Sequence, residues 1–169
     1  YFSKGDGTFA VGDRHGTAAS QLTSNQWLPA DVDGDGRTDI LNLWTEHSNE
    51  HYIQAYLSVG DGSWRPKNAV QTANSRRSSN RWIPMDVDGD GMTDVLNTWL
   101  QSEVPYFQVY FSNGQGSFTQ KPSQSFSNVT VDSDTFECYP VEINGDGRAD
   151  FVFRWGTSSH YLQGYVSKG

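Results

Sequence analysis

Asp31-Val-Asp-Gly-Asp-Gly-Arg-Thr-Asp39 recurs in this chain as Asp86-Val-Asp-Gly-Asp-Gly-Met-Thr-Asp94 and as Glu142-Ile-Asn-Gly-Asp-Gly-Arg-Ala-Asp150, with starts 55 and 56 residues apart. A repeat of that period means an array of equivalent units. Each copy sets oxygen-bearing side chains at alternate positions of a loop tightened by two glycines, and hard oxygen donors at that spacing suit Ca²⁺. In the first copy Asp31, Asp33, Asp35 and Asp39 supply carboxylates, and Arg37 offers its backbone carbonyl while its side chain points away. The second copy repeats this with Asp86, Asp88, Asp90, Met92 and Asp94. The third offers Glu142, Asn144, Asp146, Arg148 and Asp150; its longer first ligand and missing charge predict the weakest of three calcium sites. Gly34 and Gly36 let the backbone curl so that alternate side chains converge, which a Cβ would resist.

An EF-hand opens similarly but needs a Glu at position 12, where this chain has Asn42, Asn97 or Phe153 inside strand-like runs. A helix-loop-helix is therefore excluded. Without metal the crowded carboxylates repel one another, so the ion is read as a folding ligand.

Aligning the loops brings their flanks into register. Before each stands Trp27-Leu-Pro29, Trp82-Ile-Pro84 or Cys138-Tyr-Pro140; after each comes a short run ending in Trp44, Trp99 or Trp155. A second run then alternates strictly: Tyr52-Ile-Gln-Ala-Tyr-Leu-Ser58, Tyr106-Phe-Gln-Val-Tyr-Phe-Ser112 and Tyr161-Leu-Gln-Gly-Tyr-Val-Ser167. Period two means strand. The first two lead into Gly60-Asp-Gly-Ser-Trp64 and Gly114-Gln-Gly-Ser-Phe118, whose glycines suit hairpin turns.

About four strands per unit, with Gly, Ser, Thr and Asn in every connection and no helix signal, gives an all-β chain of three propeller blades of about four antiparallel strands each. The expected division is 1–22 as the end of a preceding blade, 23–73 and 74–128 as blades, and 129–169 as an incomplete one. Asn74-Ser-Arg-Arg-Ser-Ser-Asn80 reads as a polar connection between blades. Tyr1-Phe-Ser-Lys-Gly5 and Tyr165-Val-Ser-Lys-Gly169 stand at the same phase. The array is therefore expected either to continue in a longer parent or to be completed by a homo-oligomer, because propellers close with four to eight blades.

The 169 residues, 35% hydrophobic and 14% aromatic, suffice for a core built on rings. The net charge of −8 taken alone points to a basic partner, but more than half of the 20 acidic side chains lie in the three loops. The acidity is metal-site chemistry more than a docking surface. Cys138, the single cysteine, excludes an internal disulfide framework and a Cys-rich zinc site. No apolar run reaches membrane-spanning length, so no membrane insertion is expected. Nucleic acid is disfavoured by the charge, and Arg76, Arg77 and Arg81 make too small a basic patch to reverse that. Calcium loops of this kind suit millimolar external calcium, hence a secreted or cell-surface setting. Asn128-Val-Thr130 fits a glycosylation sequon.

The three Asp-x-Asp/Asn-Gly-Asp-Gly-x-x-Asp loops together with the Gly-Asp-Gly-Thr-Phe9 type of turn resemble the FG-GAP/VCBS repeat family, across essentially the whole chain. Those are the calcium-loop propellers of integrin α-subunits, mushroom propeller lectins and secreted bacterial toxin and adhesin proteins. The resemblance implies a metal loop joining the first two strands of each blade, with ligand roles on the positions named above. The Phe-Gly and Gly-Ala-Pro signatures of the integrin version are missing, which argues against an integrin-type receptor.

His15, His47, His51 and His160 share no metal-binding spacing, and no set of nucleophile, base and orienting group is present. The chain is therefore read as non-enzymatic. Cys138 stands where the other units have Trp27 and Trp82 and reads as a buried small residue. A glycan-binding, lectin-like recognition module is the favoured expectation. Trp44, Trp99 and Trp155 would be platforms for apolar sugar faces, and Gln54, Gln108 and Gln163 would bond hydroxyls. The opposing reading gives these side chains to packing, and makes the array a structural or protein-docking segment of a large secreted toxin or adhesin.

Overall fold

A computed structural model of the chain describes residues 2–12, 14, 16–17, 25–46, 50–72, 80–126, 129, 131, 136–156 and 159–169. Tyr1, His15, His47, the connection 74–79 with Arg76 and Arg77, Asn128 and Thr130 lie outside the described residues. Within them every regular element is a strand, and every strand pairing is antiparallel. The chain divides into two compact units, 1–75 with 114–117, and 76–113 with 118–169.

In the first unit, β1 (Phe2–Ser3) pairs with β2 (Phe9–Ala10) as a small hairpin. Beside it in sequence run β3 (Gln26–Ala30), β4 (Asp39–Thr45), β5 (His51–Ser58), β6 (Trp64–Pro66) and β7 (Val70–Gln71). Their order is β3-β4-β5-β6, with β7 also on β5. The blade is thus four strands wide, and its outer strand is broken into β6 and β7. Lys67 bridges the break, its N–H donating to Ala55 O at 2.9 Å. Leu41 pairs with Ala55 and Leu43 with Ile53, which puts all four on one face. They are buried, as is Leu57. Burial of such a Leu or Ile side chain contributes about 1.5–3 kcal/mol, so this alternate row holds the sheet's face.

In the second unit, β8 (Arg81–Met85), β9 (Asp94–Gln101), β10 (Val104–Ser112), β11 (Phe118–Gln120) and β12 (Gln124–Ser125) repeat that plan. The order is β11-β10-β9-β8, with β12 on β10. A third sheet follows, β13 (Glu137–Val141), β14 (Asp150–Trp155) and β15 (Tyr161–Tyr165), in the order β13-β14-β15. Pro29, Pro84 and Pro140 each fall on the first strand of their sheet. That strand is an edge, where a missing N–H breaks no ladder.

The second unit's core is Met85, Leu96, Phe126, Val129, Val131, Phe136, Cys138, Phe151 and Phe153. Phe126 stacks on Phe153 with centroids 4.4 Å apart, and Phe107 meets Phe151 edge-on at 5.4 Å. Four of these residues, Phe126, Val129, Val131 and Phe136, come from the connection between the sheets. That connection is anchored by Phe126 N–H to Pro105 O and Val131 N–H to Glu103 O, both 2.9 Å. Cys138 is buried as expected, and burial pushes its thiol up to about 12.

Candidate metal centres

Each acidic turn joins the first and second strands of a sheet: Asp31 to Thr38 between β3 and β4, Asp86 to Thr93 between β8 and β9, Glu142 to Ala149 between β13 and β14. Both glycines of every turn have positive φ, from 71° to 85°. That left-handed backbone costs an L side chain about 1–2 kcal/mol per residue, and glycine avoids it.

The first carboxylate of each turn caps its backbone. Asp31 accepts the Asp35 N–H at 3.1 Å and the Gly36 N–H at 2.9 Å; Asp86 accepts from Gly89 at 2.8 Å and Gly91 at 2.9 Å. Glu142 accepts from Asn144, Gly145 and Gly147 at 3.2, 2.7 and 3.1 Å. The amide at position 6 is thus bonded in all three turns, and the longer Glu142 side chain still reaches it. Position 5 closes a tighter loop: Asp35, Asp90 and Asp146 accept the N–H of Arg37, Met92 and Arg148 at 2.8, 2.8 and 2.9 Å. That bond is the largest effect holding the Asp146 carboxyl below its usual range.

Position 9 reaches furthest. Asp39, almost wholly buried, accepts Val32 N–H at 2.9 Å and Ser58 N–H at 2.7 Å. Asp94 does the same with Val87 and Ser112, at 3.0 and 2.8 Å, and Asp150 with Ile143 and Ser167, at 2.9 and 2.8 Å. One carboxylate therefore ties its own turn to the end of the third strand. Burial raises Asp39 and pushes Asp94 up to about 7; the donated N–H groups oppose the rise, and the neighbouring Asp carboxylates add to it. A cation in the turn would offset the burial cost and favour the ionised form.

Carboxylate oxygens of Asp31, Asp33 and Asp39 lie within 4.8 Å of one another, as do those of Asp86, Asp88 and Asp94. Three hard oxygens at that spacing can converge on one divalent cation. In the first turn Asp33 Oδ1 is buried with no hydrogen-bond partner, so its lone pairs fit a cation. The third turn brings no such carboxylate triple together among the described residues. There Asn144 takes position 3 and donates Nδ2–H to Asp146 Oδ2 at 3.0 Å.

One expectation is corrected. The Arg37 side chain does not point away: its guanidinium pairs with Asp35 Oδ2, and its Nε–H reaches Ser58 O at 3.4 Å. The Ser58 carbonyl at the end of β5 holds the guanidinium back over the turn, and Asp35 stands outside the convergent triple. Arg148 behaves alike, with Nη1 3.6 Å from Asp146 Oδ2 and Nε–H donating to Asp88 O at 3.2 Å.

The aromatic and amide candidates are placed differently. Trp44, Trp99 and Trp155 stack on their cross-strand partners Tyr52, Tyr106 and Tyr161 at 5.3, 5.7 and 5.4 Å. Gln54 donates Nε2–H to Lys67 O at 2.7 Å and accepts the Tyr56 hydroxyl at 2.9 Å; Gln108 does the same with Lys121 O and Tyr110, at 2.6 and 2.9 Å. Gln163 is exposed. Sequence reasoning missed Ser58, Ser112 and Ser167 as partners of the position-9 carboxylates. Their signal was present: each closes the Tyr-x-Gln-x-Tyr-x-Ser run, at a nearly constant distance from its Asp.

A sequence model described as the FG-GAP-like repeat matches residues 31–97 and again 86–153, each match running from one acidic turn into the strand after the next. No curated protein and no solved structure matches the chain.

Proposed function

The chain belongs to the FG-GAP-like repeat family, and from that premise we propose that it is a non-enzymatic recognition module whose blades are stabilised by calcium. The observation that carries this reading is the pair of carboxylate triples, Asp31 with Asp33 and Asp39, and Asp86 with Asp88 and Asp94. Calcium is the cation that an all-oxygen, Gly-curled turn suits best. Asp31, Asp33, Asp39 and their counterparts would hold it, and the third turn, with Glu142, Asn144 and Asp150, would hold it most weakly. The ion would supply charge neutralisation, and the position-9 carboxylates would carry its effect to the ends of β5 and β10 and to Ser167 just beyond β15. A secreted or cell-surface setting, and the division into blades at 23–73 and 74–128 flanked by 1–22 and 129–169, belong to the same proposal.

For the ligand, protein docking is favoured over sugar. Both ends of the Gln54 and Gln108 amides are engaged by strand neighbours, and Trp99 is buried. The glycan reading keeps support at one place, the stacked Trp155 and Tyr161, where Tyr161 is 54% exposed beside Gln163. Calcium titration by calorimetry tests the first claim, and absence of heat and of any chelator effect on melting would refute it. A sugar array with Trp155→Ala as control tests the second. Binding lost in the variant would establish the glycan reading; a blank array would leave protein docking standing.

A further inference from the structure

We propose that the side chain at position 7 sets how tightly each acidic turn holds calcium: Arg37 and Arg148 are tethered competitors for the position-5 carboxylate, and Met92 leaves the second turn the strongest site. The inference rests on the calcium reading above and adds to it an order of affinity and the residue responsible.

The chain supplies its own comparison. Asp31 to Asp39 and Asp86 to Asp94 are identical at eight of nine positions and differ only in Arg37 against Met92. Each turn brings the carboxylates of positions 1, 3 and 9 within 4.8 Å of one another, with position 5 outside the triple. What separates the two turns is what occupies that fourth carboxylate. In the first turn one residue takes both oxygens of Asp35: the Arg37 N–H donates to Oδ1 at 2.8 Å, and the guanidinium pairs with Oδ2. Asp90 Oδ1 accepts the Met92 N–H at the same 2.8 Å, and the thioether beyond it has no charge to set against Oδ2. Among the described residues, the ion pairs that reach a position-5 carboxylate are those of the two arginines.

The arginine is seated against the backbone that follows the third strand. Arg37 Nε–H donates to Ser58 O at 3.4 Å, and a Cβ on Gly60 would come within 3.3 Å of Arg37 Cδ, so the side chain lies along bare main chain. Arg148 lies against Gly169 in the same way, its Nε 3.4 Å from where a Cβ would stand, with Nε–H on Asp88 O at 3.2 Å. Anchored at Nε, each guanidinium keeps its outer nitrogens over position 5; Arg148 Nη1 is 3.6 Å from Asp146 Oδ2, an oxygen that Asn144 Nδ2–H also holds.

An ion that draws on position 5 must first displace the guanidinium. A site that is open only part of the time binds with a dissociation constant raised by the inverse of that fraction. The Arg37 side chain is half-exposed, and an ion pair in that setting is worth up to about 1 kcal/mol, which is about a fivefold change in a dissociation constant. Affinity in calcium loops follows the number of charged ligands, and Met92 leaves the fourth carboxylate of its turn open. The second turn should therefore fill first and the first turn after it. The third should fill last, because Asn144 already removes one charge there.

The test is hydrogen exchange of the full chain against free calcium, read from amides in 31–39 and in 86–94. The expected result is half protection of 86–94 at about fivefold less calcium than 31–39 requires. Arg37→Met should bring 31–39 to the lower midpoint, and Met92→Arg should carry 86–94 to the higher one. Each exchange installs the residue that the twin turn already accommodates, so the fold is kept. Arg65→Met, which removes an exposed cation from β6 of the same sheet, should move neither midpoint. Asp35→Asn should weaken the first turn more in the Arg37→Met background than alone, because there the carboxylate is open to the ion. Midpoints unmoved by the two exchanges, a shift for Arg65→Met as large as that for Arg37→Met, or additive effects of Asp35→Asn and Arg37→Met would each overturn the inference and leave the calcium reading standing. Turns that gain no protection from calcium in any form of the chain would overturn both.

Discussion

At position 9 of each turn, one carboxylate does two tasks that substitution can separate. Both oxygens of Asp94 accept backbone N–H groups, from Val87 and Ser112, so Asp94→Asn places an amide NH₂ against a donor. Leaving such a buried group unsatisfied costs about 1–3 kcal/mol, and the loss should appear with or without calcium. Asp88, a member of the carboxylate triple, accepts the Asp90 N–H at a long 3.2 Å. Asp88→Ala should therefore lower the melting temperature in calcium and change it much less in chelator. Scanning calorimetry of both variants in both buffers checks this; equal losses for Asp88→Ala in the two buffers would show that the residue serves the turn and not an ion. The acidic positions were legible in the sequence because their chemistry repeats at fixed spacing. The direction of Arg37 was not, because the Ser58 carbonyl that orients it lies 21 residues away in the chain.

Among the elements, the second strand pair shows where local pattern stops being informative. β9 and β10 are joined by Ser102 and Glu103, both in the left-handed region at φ 50° and 67°. A two-residue hairpin turn with both central residues at positive φ normally carries Asn-Gly or Asp-Gly, so Ser-Glu gives no turn signal. The turn persists because Val131 N–H bonds Glu103 O from the connection between the sheets. Replacing Ser102-Glu103 with Asn-Gly removes side-chain strain and keeps that carbonyl. Stability should rise by about 1 kcal/mol, read as a higher denaturant midpoint with an unchanged slope. A lower midpoint would show that the Ser102 or Glu103 side chain is itself needed. The alternating runs were legible because strict period two has no other reading; the break between β6 and β7, and between β11 and β12, was not. Nothing in Lys67-Asn-Ala69 or Lys121-Pro-Ser123 separates a broken strand from a strand followed by a loop.

Over the whole molecule, the repeat was plain in the sequence and part of the second unit's core was not. Phe126, Val129, Val131 and Phe136 belong to no alternating run, and their burial follows from tertiary packing on Phe153 and Phe107. Phe126→Ala should accordingly cost about 3–5 kcal/mol, more than any single turn substitution, as seen in denaturant unfolding. Calcium linkage gives a second measure at this scale. An ion that binds only the folded form adds about 1.4 kcal/mol of stability per tenfold rise in free concentration once its site is saturated. The first unit contains one acidic turn, Asp31 to Asp39, and the second contains two. Protection of amides in β4 and β5, followed by hydrogen exchange against free calcium, should climb with the slope of a single ion. Protection in β9, β10 and β14 should climb with that slope at low calcium and steepen towards twice that value as the Glu142 turn fills, because its Asn144 and single Asp146–Asp150 pair leave it the lowest charge of the three. A slope of one ion in both units at all concentrations would mean that the third turn holds itself together with Arg148 and the Asn144 amide and takes no metal. Zero slope in both would mean that the carboxylates serve the turns by hydrogen bonding alone.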